Sequence, residues 1–98
     1  MSDLNSTAIQ IVFVPLDDET VRGILLVDAF KPEKARRAKV RALAQLGLTV
    51  GDDETPLAVW HRHLCQLNGV EYSTPLPAAL ADAILGSPEA RRMLWFLA

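Results

Sequence analysis

The chain has 98 residues, of which 50% are hydrophobic and 22% are charged, with a formal net charge of −2 and a single cysteine. This length predicts one compact domain over 1–98, too small for a catalytic domain joined to a regulatory one. One cysteine excludes an internal disulfide and any zinc site made only of cysteines.

The amino-terminal residues 1–7 are polar and carry no positive charge before the first apolar run. A secretory signal would need a basic start and a longer apolar core, so we expect 1–7 to be a disordered tail. The longest apolar stretch, 8–16, has about half the length of a membrane-spanning helix. These features predict a cytoplasmic protein that does not bind a membrane.

Two apolar runs near the amino terminus predict a β-hairpin over about 8–27. Residues 8–14 are mostly β-branched or aromatic and stop at Pro15, which is typical of a buried strand. Residues 21–27 form a second apolar run, reached through the polar loop 17–20. Because a lone strand leaves its backbone groups unpaired, the second run is the natural partner of the first.

A helix over 18–30 is the alternative for the same part of the chain. Its first turn would be acidic, Asp17 would be its N-cap, and Leu16 would form a hydrophobic staple with Val21. Gly23 in the helix interior, and an apolar run that covers every side of the helix, favour the hairpin instead.

Four helices are predicted after the hairpin, because proline after a hydroxyl residue marks a helix start and a single glycine marks a helix end. The start signals are Thr55–Pro56, Thr74–Pro75 and Ser87–Pro88, and the stop signals are Gly47, Gly69 and Gly86. The predicted helices span about 32–46, 56–68, 76–85 and 88–97. The predicted fold is therefore α+β, a hairpin packed against four short helices. An all-α bundle with an extended amino-terminal arm is the alternative.

The helix over 56–68 carries His61 and Cys65 four residues apart. This spacing offers two metal ligands, or a thiol beside a base, but two ligands do not make a metal site and the nearby acids lie in the preceding loop. No second polar group orients the base, and the sequence has no glycine-flanked nucleophilic serine and no phosphate-binding glycine loop. We predict a protein that is not an enzyme and needs no metal or cofactor, with Cys65 in the core and His61 at its boundary.

Positive charge is concentrated in residues 31–41, where Glu33 is the single acid. Lys34, Arg37 and Arg41, called the basic ridge below, fall within about 60° of one another around a helix. Such a ridge solvates the outer face of the helix, binds an acidic protein surface or binds phosphates. The net charge of −2 and the lack of a recognisable nucleic-acid-binding motif favour a protein partner over a nucleic acid.

The carboxyl-terminal residues 93–97 are all large and apolar and cover every side of the last helical turns. A monomer buries only one side of such a helix, and we expect Leu94 and Leu97 to face its own core. Trp95 and Phe96 would then meet a partner, which predicts a symmetric homodimer through these two aromatic residues.

The predicted function is a small protein–protein interaction module, meaning an adaptor, inhibitor or assembly factor in a prokaryote-like cytoplasm. The large hydrophobic share of a small chain and the missing catalytic residues favour this class. The predicted partner-binding residues are Lys34, Arg37, Arg41, Trp95 and Phe96. The alternative is a nucleic-acid-associated regulator that uses the basic helix 32–46.

Overall fold

The computed structural model describes residues 9–98, and the tail expected over 1–7 lies outside this range. A non-helical arm over 9–17 precedes five helices, and no strand occurs in the described part of the chain. The helices are α1 (Asp18–Phe30), α2 (Pro32–Ala44), α3 (Pro56–Leu67), α4 (Ala78–Leu85) and α5 (Pro88–Leu97).

The arm and all five helices contribute to one hydrophobic core. Trp60 on α3 is the largest of its fully buried side chains. Helix α1 packs against α2 and α5, α3 packs against the same two helices, and α4 packs against α5. Within residues 9–98, no helix combines the length and the apolar composition needed to cross a bilayer.

The prediction of an α+β fold with a hairpin over 8–27 is wrong, because residues 18–30 form helix α1. Asp17 caps this helix, its carboxylate accepting a 2.6 Å hydrogen bond from the backbone N–H of Thr20. Leu16 and Val21 both pack into the core, as the hydrophobic staple requires. These local signals, together with the burial of Val21, outweigh the cost of Gly23 in the helix interior. The observed fold is the all-α alternative with an amino-terminal arm.

The backbone of the arm needs no strand partner, because side chains from α3 satisfy several of its polar groups. Trp60 donates from Nε1 to the carbonyl oxygen of Val12 at 2.8 Å. Asn68, just beyond α3, accepts from the N–H of Gln10 at 2.7 Å and donates from Nδ2 to its carbonyl at 2.8 Å. The requirement for backbone pairing that favoured a hairpin is therefore met partly by side chains.

Two of the three predicted hydroxyl caps are confirmed. Thr55 accepts a hydrogen bond from the N–H of Ala58, and Ser87 accepts one from the N–H of Ala90. Thr74 does not cap a helix, because α4 begins only after Pro77. The helical conformation is disfavoured for a residue before proline, which agrees with a helix that begins at Ala78 and not at 76 as predicted.

Two of the three predicted glycine stops adopt the left-handed conformation expected at a helix end. The φ angles are +76° at Gly47 and +67° at Gly69. Gly86 ends α4 with a φ of −80°, in the right-handed region. The expectation of a left-handed residue at this position is wrong, since α5 follows at once and the chain continues directly into the Ser87 cap.

Replacing Trp60 by Phe tests the link between the arm and the core. The Trp60→Phe variant loses the indole N–H that donates to the Val12 carbonyl in a partly buried hydrogen bond, so the free energy of unfolding should fall by about 1–3 kcal/mol. Urea denaturation measures this change. Trp95→Phe, the same substitution at an exposed site, should change the value by less than about 0.5 kcal/mol. Equal effects at the two positions would contradict the role of Trp60.

The N-cap of α1 is tested at Asp17. Asp17→Ala removes the acceptor for the Thr20 N–H and should lower the urea midpoint, with reduced helical signal in the circular dichroism spectrum before the transition. Asp17→Asn keeps an acceptor at the same place, so its urea midpoint should stay close to that of the wild type. An alanine variant indistinguishable from wild type would show that α1 does not depend on this cap.

Candidate interaction surface

The fold uses two of the cations in α2 to hold its own elements together. Arg36 donates from both terminal nitrogens to carbonyl oxygens of the loop 51–54, each at 2.8 Å. Lys39 is only 7% exposed. Its ammonium lies 3.5 Å from the carboxylate of Asp28 on α1 and donates to the carbonyl oxygen of Ala98 at 3.1 Å. These two side chains join α2 to its surroundings and are not free to bind a partner.

The three residues of the basic ridge remain at the surface. Lys34, Arg37 and Arg41 are exposed, and none forms an ion pair with another residue of 9–98. The fold does not place them in one site. Lys34 and Arg37 border a depression near the start of α2, whereas Arg41 borders another groove farther along α2.

The two aromatic residues predicted to form a dimer contact are separated by the fold. Trp95 is 53% exposed, while Phe96 is 4% exposed and belongs to the core beside the buried Leu97. Leu94 is only partly buried. Neighbouring residues on a helix point about 100° apart, so α5 presents Trp95 to solvent and turns Phe96 toward α1 and α2.

The largest exposed apolar side chains on α1 were missed by the sequence prediction. Phe30 is 81% exposed, Leu26 is 64% exposed and Leu25 is 45% exposed. Together with the exposed Ala29, they form what we call the α1 outer face. The spacing of these residues places them on one side of a helix. The surface was missed because the same residues were predicted to form a strand and the segment after it.

The α1 outer face continues into positive charge where α1 meets α2. One shallow groove of about 240 Å³, called the Lys34 groove, is lined by Leu26, Val27, Phe30, Lys31 and Lys34. An exposed aromatic ring and two cations therefore share one depression. This is the position at which the fold brings part of the basic ridge together with apolar surface.

A second groove of about 250 Å³ lies at the other end of α1, between α1, α2 and α5. We call it the Gly23 groove, because a Cβ added at Gly23 would meet no atom within 4 Å. Its apolar lining includes the buried Phe96, and Arg41 lies at the groove. Its full lining is Val14, Leu16, Thr20, Gly23, Ile24, Ala38, Arg41, Ala42, Gln45 and Phe96.

Acidic residues surround the amino-terminal end of α1. Arg92 donates from Nε to the carboxylate of Asp18 at 2.7 Å, and this hydrogen bond lowers the pKa of Asp18. Glu19 is exposed and has no ion pair with another residue of 9–98. Helix α1 is thus acidic where it begins, apolar along its outer face and followed by Lys31 where it ends.

Cys65 lies in the core and His61 lies at its boundary. Cys65 is fully buried, and burial raises the pKa of its thiol, so the reactive thiolate is disfavoured at neutral pH. Burial also lowers the pKa of His61, whose Nε2 has no hydrogen-bond partner among the described residues. Across residues 9–98, no three His, Cys, Asp or Glu side chains are grouped to hold a metal ion.

The sequence matches no protein-family model, and neither the curated proteins nor the solved structures compared with it show significant similarity. The surfaces described above are therefore the basis for assigning a function.

The lowered pKa of His61 predicts a loss of stability on mild acidification. Folded His61 takes up a proton less readily than unfolded His61, so its contribution is present above the unfolded value of about 6.5 and is lost as pH falls below it. Urea unfolding between about pH 7.5 and 5.5 measures the slope. His61→Leu and His61→Gln should both reduce the dependence of the unfolding free energy on pH. Because only the leucine adds hydrophobicity, an effect shared by both variants comes from the loss of the titrating imidazole. An unchanged slope in both variants would contradict the assignment to His61.

Proposed function

We propose that this protein is a non-enzymatic protein-interaction module, an adaptor, inhibitor or assembly factor that acts in the cytoplasm. It binds an acidic, apolar segment of a protein partner through the α1 outer face and the Lys34 groove. The observation that carries the proposal is the position of Phe30, which is 81% exposed and lies in one groove with Lys31 and Lys34. The free, fully buried thiol of Cys65 is compatible with a reducing compartment.

The apolar part of this surface provides the binding energy. Burying one large apolar side chain is worth roughly 1.5–3 kcal/mol, and the α1 outer face offers Phe30 and Leu26 side by side. Aromatic residues that enter a desolvated pocket dominate the affinity of many interfaces. A partner that covers Phe30 therefore gains more than one that covers the polar loops.

The charged part of the surface selects the partner. Lys34 and Arg37 have no ion pair within residues 9–98, so their charge is available to an incoming chain. Cations at the rim of an interface raise the association rate of acidic partners and make binding sensitive to salt. The chemistry that fits is a helix with leucine or phenylalanine on one side and carboxylates beside them.

The nucleic-acid alternative is favoured by the unpaired cations of the basic ridge. Against it, the ridge is divided between two grooves, and the cations nearest to Phe30 adjoin apolar surface that phosphates do not bind. Two of the remaining cations, Arg36 and Lys39, are engaged within the fold. A protein partner therefore accounts for more of this surface than a nucleic acid does.

A labelled amphipathic peptide tests the proposal. Its apolar face carries leucine and phenylalanine, its polar face carries glutamate, and fluorescence anisotropy measures its Kd. We expect micromolar binding, weakened about tenfold by Phe30→Ser and about threefold by Lys34→Gln. The matched controls are Leu85→Ser, at an exposed leucine of α4, and Gln66→Glu, which changes the net charge by the same amount. Neither control should alter the Kd.

Results of two kinds would overturn the proposal. One comes from the peptide assay: no binding, or an equal loss of affinity in Leu85→Ser and Phe30→Ser. The other is micromolar binding of random-sequence duplex DNA that weakens steeply with salt and is insensitive to Phe30→Ser. That second result would instead assign the basic ridge to nucleic acid.

A further inference from the structure

The outward side of α1 has protruding apolar side chains near its carboxyl-terminal end and a groove near its amino-terminal end. At about 100° per residue, Glu19, Gly23, Leu26 and Phe30 fall along one line of the helix. The carboxyl-terminal half of this line projects Leu26 and Phe30 into solvent. The amino-terminal half opens at Gly23 into the Gly23 groove.

The Gly23 groove has the size and lining to accept the side chain of a leucine. A cavity of about 150 Å³ is enough to hold a benzene molecule, and this groove has a volume of about 250 Å³. Phe96 and Ile24 contribute apolar surface to it. Glycine in a helix interior is unfavourable, and any larger side chain at position 23 would occupy part of this space.

We propose that the occupant of the Gly23 groove is a second copy of this chain, with the two α1 helices paired antiparallel about a two-fold axis. In this arrangement, Leu26 of each copy lies opposite Gly23 of the other, and Phe30 lies opposite Glu19. A two-fold interface uses the same residues twice, so each copy provides one projection and one groove. This inference rests on the proposed function, since it names the occupant of the α1 outer face.

The charges at the two ends of α1 favour the antiparallel arrangement. Lys34 shares a groove with Leu26 and Phe30, so pairing brings its ammonium to the end of the second copy that carries Glu19. Glu19 and Lys34 have no ion pair of their own within residues 9–98. A parallel pair would instead place acid beside acid and cation beside cation, which is unfavourable.

The second copy also fits better than an anionic lipid surface. A membrane-bound helix of this kind carries cations along its polar side, whereas α1 begins with exposed carboxylates at Asp18 and Glu19. These groups would be repelled by anionic headgroups. In a second copy, Glu19 meets the cations that follow α1, while Asp18 keeps its hydrogen bond to Arg92.

Sedimentation equilibrium of the full chain at tens of micromolar provides the first test. The wild type should be a dimer, and Phe30→Ser should raise the dissociation constant by at least about tenfold. Leu85→Ser should remain dimeric, because Leu85 is an equally apolar exposed residue on α4. Circular dichroism of each variant verifies that the fold is intact, which is expected for a substitution at an 81% exposed side chain.

Charge reversal tests the antiparallel register. Glu19→Lys and Lys34→Glu should each weaken self-association about tenfold, because each places like charges together. A mixture of the two single variants should form a heterodimer with near wild-type affinity, since each copy then supplies the charge that the other lacks.

A monomeric wild type at about 100 µM would overturn the inference, as would a dimer that survives Phe30→Ser. A mixture of charge variants that stays monomeric would overturn the antiparallel pairing. The peptide assay is kept separate by working below the dimer dissociation constant, because the peptide and a second copy would compete for Phe30. A monomeric wild type that still binds the acidic peptide through Phe30 leaves the proposed function standing with a different partner.

Discussion

The hydrogen bond from the Trp60 indole to the Val12 carbonyl is the interaction on which the arrangement of this fold depends. Trp60 is fully buried, so its N–H needs a partner inside the protein, and the arm provides one at 2.8 Å. The same hydrogen bond provides the Val12 carbonyl with a donor, so this carbonyl needs no neighbouring strand. With Asn68 bonded to Gln10 in both directions, the arm is held on α3 without a sheet.

The helical conformation of 18–30 leaves apolar side chains on the protein surface. Residues 18–30 are not paired with the arm as a strand but form α1, which packs against α2 and α5. The apolar residues of the same run that do not reach the core, above all Leu26 and Phe30, are turned to solvent. Exposing these apolar side chains to water is unfavourable, and they form the surface for which we propose a binding role.

The charges of α2 are divided between structure and surface in a similar way. Arg36 and Lys39 donate to carbonyl oxygens within the fold, and Lys39, which is buried, also pairs with the carboxylate of Asp28. Lys34 and Arg37 lie on the opposite side of the helix and face solvent. The amphipathic pattern of one helix therefore separates cations that hold α2 in place from cations that are free to meet a partner.

Features that depend on a few neighbouring residues could be predicted from the sequence alone. The Thr55 and Ser87 caps, the left-handed glycines at 47 and 69, and the positions of α2, α3 and α5 follow from local hydrogen bonds and backbone geometry. Tertiary packing settled whether 18–30 is strand or helix, because the Asp17 cap outweighs Gly23 only together with the burial of Val21, which the folded core provides. Tertiary packing also decided that Trp95 is exposed and Phe96 is buried. Helical periodicity places the two side chains on different sides of α5, but only the packing of the other helices determines which side faces the core.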